Sequence, residues 1–96
     1  MIMHVTVKLK MGAPFGRYKE ATRQCKAIFE KHGWRLLNSY TTVVGRVNSC
    51  VNIWDVPSSD AVERGLYDPA LAAVIPIVRE VVDDEVTQFM TPYSVD

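Results

Sequence analysis

From Ile2 to Lys10 the chain alternates. Met3, Val5, Val7 and Leu9 interleave with Ile2, His4, Thr6 and Lys8, the period of a strand with one buried face. The segment MGAPFG, residues 11–16, interrupts the pattern with two glycines and a proline. From Phe15 to His32 the period becomes helical. Tyr18, Thr22, Cys25, Phe29 and His32, with Ala21 and Ile28 beside them, share one face, and charged residues from Arg17 to Lys31 cover the rest. Gly33 stands where a helix end favours a residue that tolerates positive φ. Residues 35–44, RLLNSYTTVV, predict a second strand, and residues 47–56, VNSCVNIWDV, a third. Gly45-Arg46 reads as a tight turn that makes the two an antiparallel hairpin.

After Pro57, the side-chain oxygens of Ser58, Ser59 and Asp60 can cap a short helix running to about Tyr67. Asp68-Pro69 restarts the helix, with Asp68 as cap and Pro69 in its first turn. The apolar stretch ALAAVIPIVREVV follows, interrupted at Pro76, which removes a backbone donor. EVTQFMT, residues 85–91, predicts a fourth strand closed by Pro92. Strand alternation leaves open which set of residues there, Val86, Gln88 and Met90 or Glu85, Thr87 and Phe89, faces the helices.

The order β-α-β-β-α-β defines an α+β, ferredoxin-like domain over residues 1–96, a four-stranded antiparallel sheet with its helices on one face. Right-handed crossovers put both helices on the same side. The other sheet face is then bare, and a 96-residue chain has little else to cover it with. A second copy is the expected cover, giving a homodimer or a higher oligomer in the form of a dimeric α/β barrel.

Composition narrows the function classes. At 48% hydrophobic and 23% charged residues the chain is that of a globular protein. No apolar run approaches a membrane span and the N-terminus lacks the pattern of a signal peptide, so the expected compartment is cytoplasmic, with Cys25 and Cys50 reduced. The net charge of zero is unevenly spread. Residues 1–46 hold nine Lys or Arg against Glu20 and Glu30, whereas residues 47–96 hold Arg64 and Arg79 against nine acids. A basic first helix beside an acidic second one is self-complementary, and the acidic half argues against nucleic acid. Two histidines with no acidic cluster on one strand face predict no protein-held metal, and the lack of a Gly-rich phosphate loop predicts no nucleotide cofactor.

The hairpin SYTTVVGRVNSCVNIWDV resembles the central signature of the NIPSNAP family: a Tyr-centred strand, a Gly turn, an Asn and an apolar strand ending in Trp. Tyr40, Thr42, Gly45, Asn48 and Trp54 fit it, as do Asp68-Pro69 at the start of the last helix and the ending at Pro92. The resemblance implies a dimeric α/β barrel, in a superfamily that includes cofactor-free monooxygenases, polyketide cyclases, lactone isomerases and haem-handling enzymes. It also exposes departures. His4 stands where the family usually has Glu, Val43 where it has an acid, Asn52 where His is frequent, and Val56 where an aromatic is usual.

Alternation assigns His4 and Thr6 of strand one, and Asn38 and Tyr40 of strand two, to the face away from the helices. Taking Val51 and Ile53 as helix-facing sends Cys50, Asn52 and Trp54 to that same bare face. His4, Tyr40 and Asn52 are then the candidate catalytic residues. His4 could act as the general base or acid, and Tyr40 and Asn52 could hold a carbonyl or phenolate oxygen. Thr6, Asn38, Cys50 and Trp54 would line the substrate pocket, with Trp54 as a flat wall. Structural roles compete for each of them: a hydrogen bond across the sheet for His4, packing in a dimer core for Trp54. The expected function is a cofactor-independent enzyme acting on a small organic molecule, aromatic or polyketide-like ones included, by proton transfer (as an isomerase, cyclase or lyase) or by oxygenation. The alternative is a non-catalytic small-molecule-binding or protein-interaction module on the same scaffold.

Overall fold

The computed structural model describes all 96 residues. Strand β1 spans Ile2–Leu9, helix α1 Phe15–Glu30, β2 Arg35–Thr41, β3 Ser49–Asp55 and α2 Ser59–Leu66. A 3₁₀ turn over Pro69–Ala73 leads to α3, Ile75–Val81, which runs directly into β4, Val82–Met90. All neighbouring strands are antiparallel, in the spatial order β2-β3-β1-β4, which is the ferredoxin-like arrangement.

The core lies between the sheet and the helices. Met3, Val5, Val7 and Leu9 of β1 are buried there, as the alternation predicts, against Ala21, Ile28 and Phe29 of α1 and Ile77 and Val81 of α3. Phe29, Trp34 and Trp54 form an aromatic cluster. The Phe29 and Trp34 rings stack at 4.2 Å, and Trp54 meets Phe29 edge-on at 5.2 Å. Gly33 ends α1 with φ of 82°. Pro76 falls in the first turn of α3, where its missing N–H costs nothing, so the proline separates two helical pieces as expected. The charge asymmetry is used across the helix layer, where Arg17 of α1 reaches Glu80 of α3 at 3.1 Å.

Three boundaries differ from the sequence reading. The β2–β3 connection is a seven-residue loop, residues 42–48, rather than a two-residue turn. The backbone bond from Thr42 N to Ser49 O closes it, and Asn48 takes the left-handed φ of 60° that turns the chain into β3. β4 begins at Val82 rather than residue 85, because α3 ends where the sheet edge starts. α1 stops at Glu30, and His32 lies just beyond it.

The strand-three faces are the main correction. Register pairs Met3 with Trp54, Val5 with Asn52 and Val7 with Cys50, so Cys50, Asn52 and Trp54 share the helix-covered face with the β1 core residues. Val51 and Ile53 lie on the open face, opposite Thr6 and His4. Trp54 is 3% exposed and belongs to the aromatic cluster in the core. In β4, pairing of Val7 with Glu85, Val5 with Thr87 and Met3 with Phe89 places those residues on the helix side.

Candidate functional site

The seven residues singled out from the sequence divide between two surfaces. His4, Thr6, Asn38 and Tyr40 are on the open face, where register sets His4 against Ile53 and Gln88, and Thr6 against Val51 and Val86. The His4 Nδ1 atom is buried there without a hydrogen-bond partner. Cys50, Asn52 and Trp54 are on the opposite face, under the helices. One chain therefore does not bring the seven together.

Ligand-sized space occurs instead between the sheet and α1. An inner cavity of about 200 Å³ is walled by Met3, Val5, Val7, Phe29, Trp54 and Val78, among other apolar groups. Its polar lining is Tyr18, Thr22 and Cys25 from α1, Asn52 from β3, and Glu85 and Thr87 from β4. An outer hollow of about 260 Å³ lies over the β2 edge, between Phe15, Tyr18, Lys19, Thr22 and Arg23 of α1 and Ser39, Tyr40, Thr41, Cys50 and Asn52 of the sheet. Tyr18, Thr22 and Asn52 border both spaces.

A hydrogen-bond relay forms the partition between them. The Ser39 hydroxyl donates to Asn52 Oδ1 at 2.7 Å, and Asn52 Nδ2 donates to the Tyr18 phenolic oxygen at 2.8 Å. Tyr18 accepts in this relay, so its own O–H keeps its capacity to donate. Burial pushes the Tyr18 phenol up to about 12, so the group stays a donor and does not become a base.

Glu85 stands at the rim of the inner cavity, open to solvent on its outer side and partly desolvated where it faces the apolar wall. That desolvation raises its carboxyl above the ordinary value of 4.5. Burial, with the Glu85 charge adding to it, also pushes the Cys25 thiol up to about 11. Cys50 is raised by burial as well, and its thiol lies 3.9 Å from Thr41 Oγ1. Neither cysteine has the depressed pKa of an activated nucleophile.

Glu85, Thr87, Tyr18, Thr22 and Cys25 were not among the residues picked from the sequence. The available signal was a Tyr, a Thr and a Cys interrupting the apolar face of α1, where a pure core helix would carry Leu or Ile.

A second hollow with polar walls surrounds His32 and Asp68, with Asp60, Glu63, Arg64, Tyr67 and Pro69. His32 Nε2 is 2.7 Å from Asp68 Oδ2, while Asp68 Oδ1 accepts from the Ala70 backbone and caps the 3₁₀ turn. The pair fastens the end of α1 to the α2–α3 connection.

Sheet order, crossover arrangement and a cleft held between sheet and helices define an α+β protein of the ferredoxin-like class seen in NIPSNAP proteins. Similar solved structures bear that out. The fold matches a NIPSNAP domain protein from Burkholderia xenovorans with a TM-score of 0.78 at 21% identity, over 100% of this chain and 98% of that one. It matches a NIPSNAP family protein of unknown function from Agrobacterium tumefaciens with a TM-score of 0.78 at 22% identity, over 99% and 89%. SnoaB, a cofactor-independent oxygenase from Streptomyces nogalater, matches with a TM-score of 0.70 at 14% identity, over 98% and 94%. At these identities the likeness is one of fold. No family model and no curated protein matches the sequence. No helix is long and apolar enough to cross a membrane.

Proposed function

We propose that the chain is a cofactor-independent enzyme that transfers a proton on a small carbonyl-bearing organic molecule bound between the sheet and α1. The observation that carries this reading is the pairing, across one apolar cavity, of a hydrogen-bond donor fixed by the Ser39–Asn52–Tyr18 relay with a carboxylate of raised pKa, Glu85. Glu85 takes a proton from the carbon next to the carbonyl. The electron pair moves onto the carbonyl oxygen, and the Tyr18 O–H stabilises the enolate that forms. Return of the proton to a different carbon is isomerisation, and to the same carbon is exchange. In this reading Asn52 does not hold the substrate oxygen from the open face, as the sequence suggested, but positions Tyr18 from the helix side of the sheet. The cofactor-independent activity of a protein sharing the fold is in keeping with this chemistry.

The same proposal takes the open sheet face, with Ile2, Val51, Ile53, Val86 and Met90 and the candidates His4, Thr6, Asn38 and Tyr40, as the surface of a homodimer. His4 would then act within the interface and not in the helix-side cavity.

The test follows α-hydrogen exchange of phenylacetone in D₂O by proton NMR. Wild-type protein should accelerate exchange, Glu85→Gln should slow it by about 10²–10⁴-fold, and Tyr18→Phe by about 10²–10³-fold. Unchanged exchange in a folded Glu85→Gln protein removes the carboxylate from the reaction. A ligand held tightly and recovered without exchange would favour the non-catalytic binding module instead.

A further inference from the structure

We infer that the outer hollow is an anion subsite, and that the molecule this cleft takes is a small organic carboxylate with an apolar body. The subsite stands on its own residues. Only the orientation of the ligand, body inward and carboxylate outward, rests on the proposed reaction in the inner cavity.

The two spaces that meet at Tyr18 carry opposite charge. The ionised side chains lining the outer hollow are Lys19 and Arg23, both positive, whereas the inner cavity has Glu85. Arg23 is already engaged by Glu20, at 2.7 Å and 3.0 Å. Lys19 has neither a carboxylate nor a hydrogen-bond partner in the chain, so its charge is free for a ligand. The neutral lining adds donors. Thr41 Oγ1 accepts from the Cys50 thiol and keeps its own O–H for another acceptor. The Tyr18 hydroxyl, which accepts from Asn52, borders the hollow at the partition.

One uncommitted ammonium with hydroxyl donors suits a singly charged, planar carboxylate. A phosphate dianion would call for several charged or backbone donors at once. The far end of the cleft supplies direction, because Glu85 repels an anion and the apolar inner walls accept a ring or short alkyl chain. The inner space of about 200 Å³ and the outer one of about 260 Å³ are each of the size of such a small molecule's halves or whole.

Calorimetric titration with 3-phenylpropionate and with its uncharged amide, 3-phenylpropanamide, tests the subsite without requiring turnover. The acid should bind at least about tenfold tighter than the amide, and added salt should weaken the acid alone. Lys19→Gln should abolish the preference and Lys19→Arg should keep it. Equal binding of the two probes, a preference that survives Lys19→Gln, or no binding of either overturns the inference. The failure modes separate cleanly. A carboxylate preference without phenylacetone exchange would sink the proposed reaction and leave the subsite, while exchange without the preference would do the reverse.

Discussion

Asn52 joins three parts of the molecule, reaching Ser39 on β2 and Tyr18 on α1 from its place on β3. Its face was illegible in the sequence because SCVNIWD offers no contrast: Cys, Trp, Val and Ile supply apolar groups to both sides. In β1 the contrast of Val with His, Thr and Lys settled the matter. What decides β3 is pairing with β1, Val5 opposite Asn52, and that is a long-range fact that alternation within one strand does not contain. Gly65 is similar in kind. A Cβ there would lie 2.7 Å from Trp34 Cζ2 and 2.9 Å from Cε2. Trp34 is buried, stacked on Phe29 and tied through Nε1 to the Ala61 carbonyl at 2.8 Å, so it has no room to yield. Gly65→Ala should destabilise the fold by about 1–3 kcal/mol, seen as a lowered urea midpoint.

Two carboxyls should give opposite pH signatures. Asp68 is held below its ordinary 3.8 by its hydrogen bonds to His32 and the Ala70 backbone, so it adds stability above that value and loses it as pH falls through the lowered one. Asp68→Asn should therefore be less stable than wild type at neutral pH, with the gap closing as acid protonates Asp68. Glu85 is raised above 4.5 by desolvation, so the folded chain loses stability as pH climbs from 4.5 through the raised value. Glu85→Gln should remove that loss and gain on wild type above this window but not below it. Thermal unfolding across a pH series reads both.

At the scale of elements, the order and type of all four strands were readable, and so was the break at Pro76. The misread loop of residues 42–48 shows why turn length is harder. Gly45 does take a φ of 117°, but Asn48 also turns the chain, and the valines around them, Val43, Val44 and Val47, which read as strand, stand exposed. Strand propensity without a covering layer did not make strand. β4 illustrates a different limit. A register shift at Lys8 and Leu9 leaves Asp83 as an extra residue, and from Asp84 onward the pairing brings Glu85 to the helix side. The cap of α2 was legible, since Ser58 Oγ accepts from Ala61 N at 3.2 Å. Ser58→Ala should cost about 1 kcal/mol, measurable by chemical denaturation.

For the whole molecule, the sheet has a well-packed side and a sparsely covered one. Val86 is 50% exposed and Tyr40 57%, in a chain with few large residues to spare. A homodimer through that face predicts a light-scattering mass near 22 kDa, about twice the 10.8 kDa of one chain, and Ile53→Lys should halve it. A mass of one chain for wild type at micromolar concentration would remove the dimer. The candidate site was less readable than the fold because a cleft between layers is made by several elements at once, and its key groups, Tyr18 and Glu85, look in sequence like core and surface respectively. The aromatic cluster carries one last consequence. Both tryptophans of the chain sit in it, and Trp54 also forms part of the inner cavity wall. Tryptophan emission therefore comes from one spot beside the inner cavity, so a molecule entering that cavity should change the colour or brightness of the protein's fluorescence with no label attached.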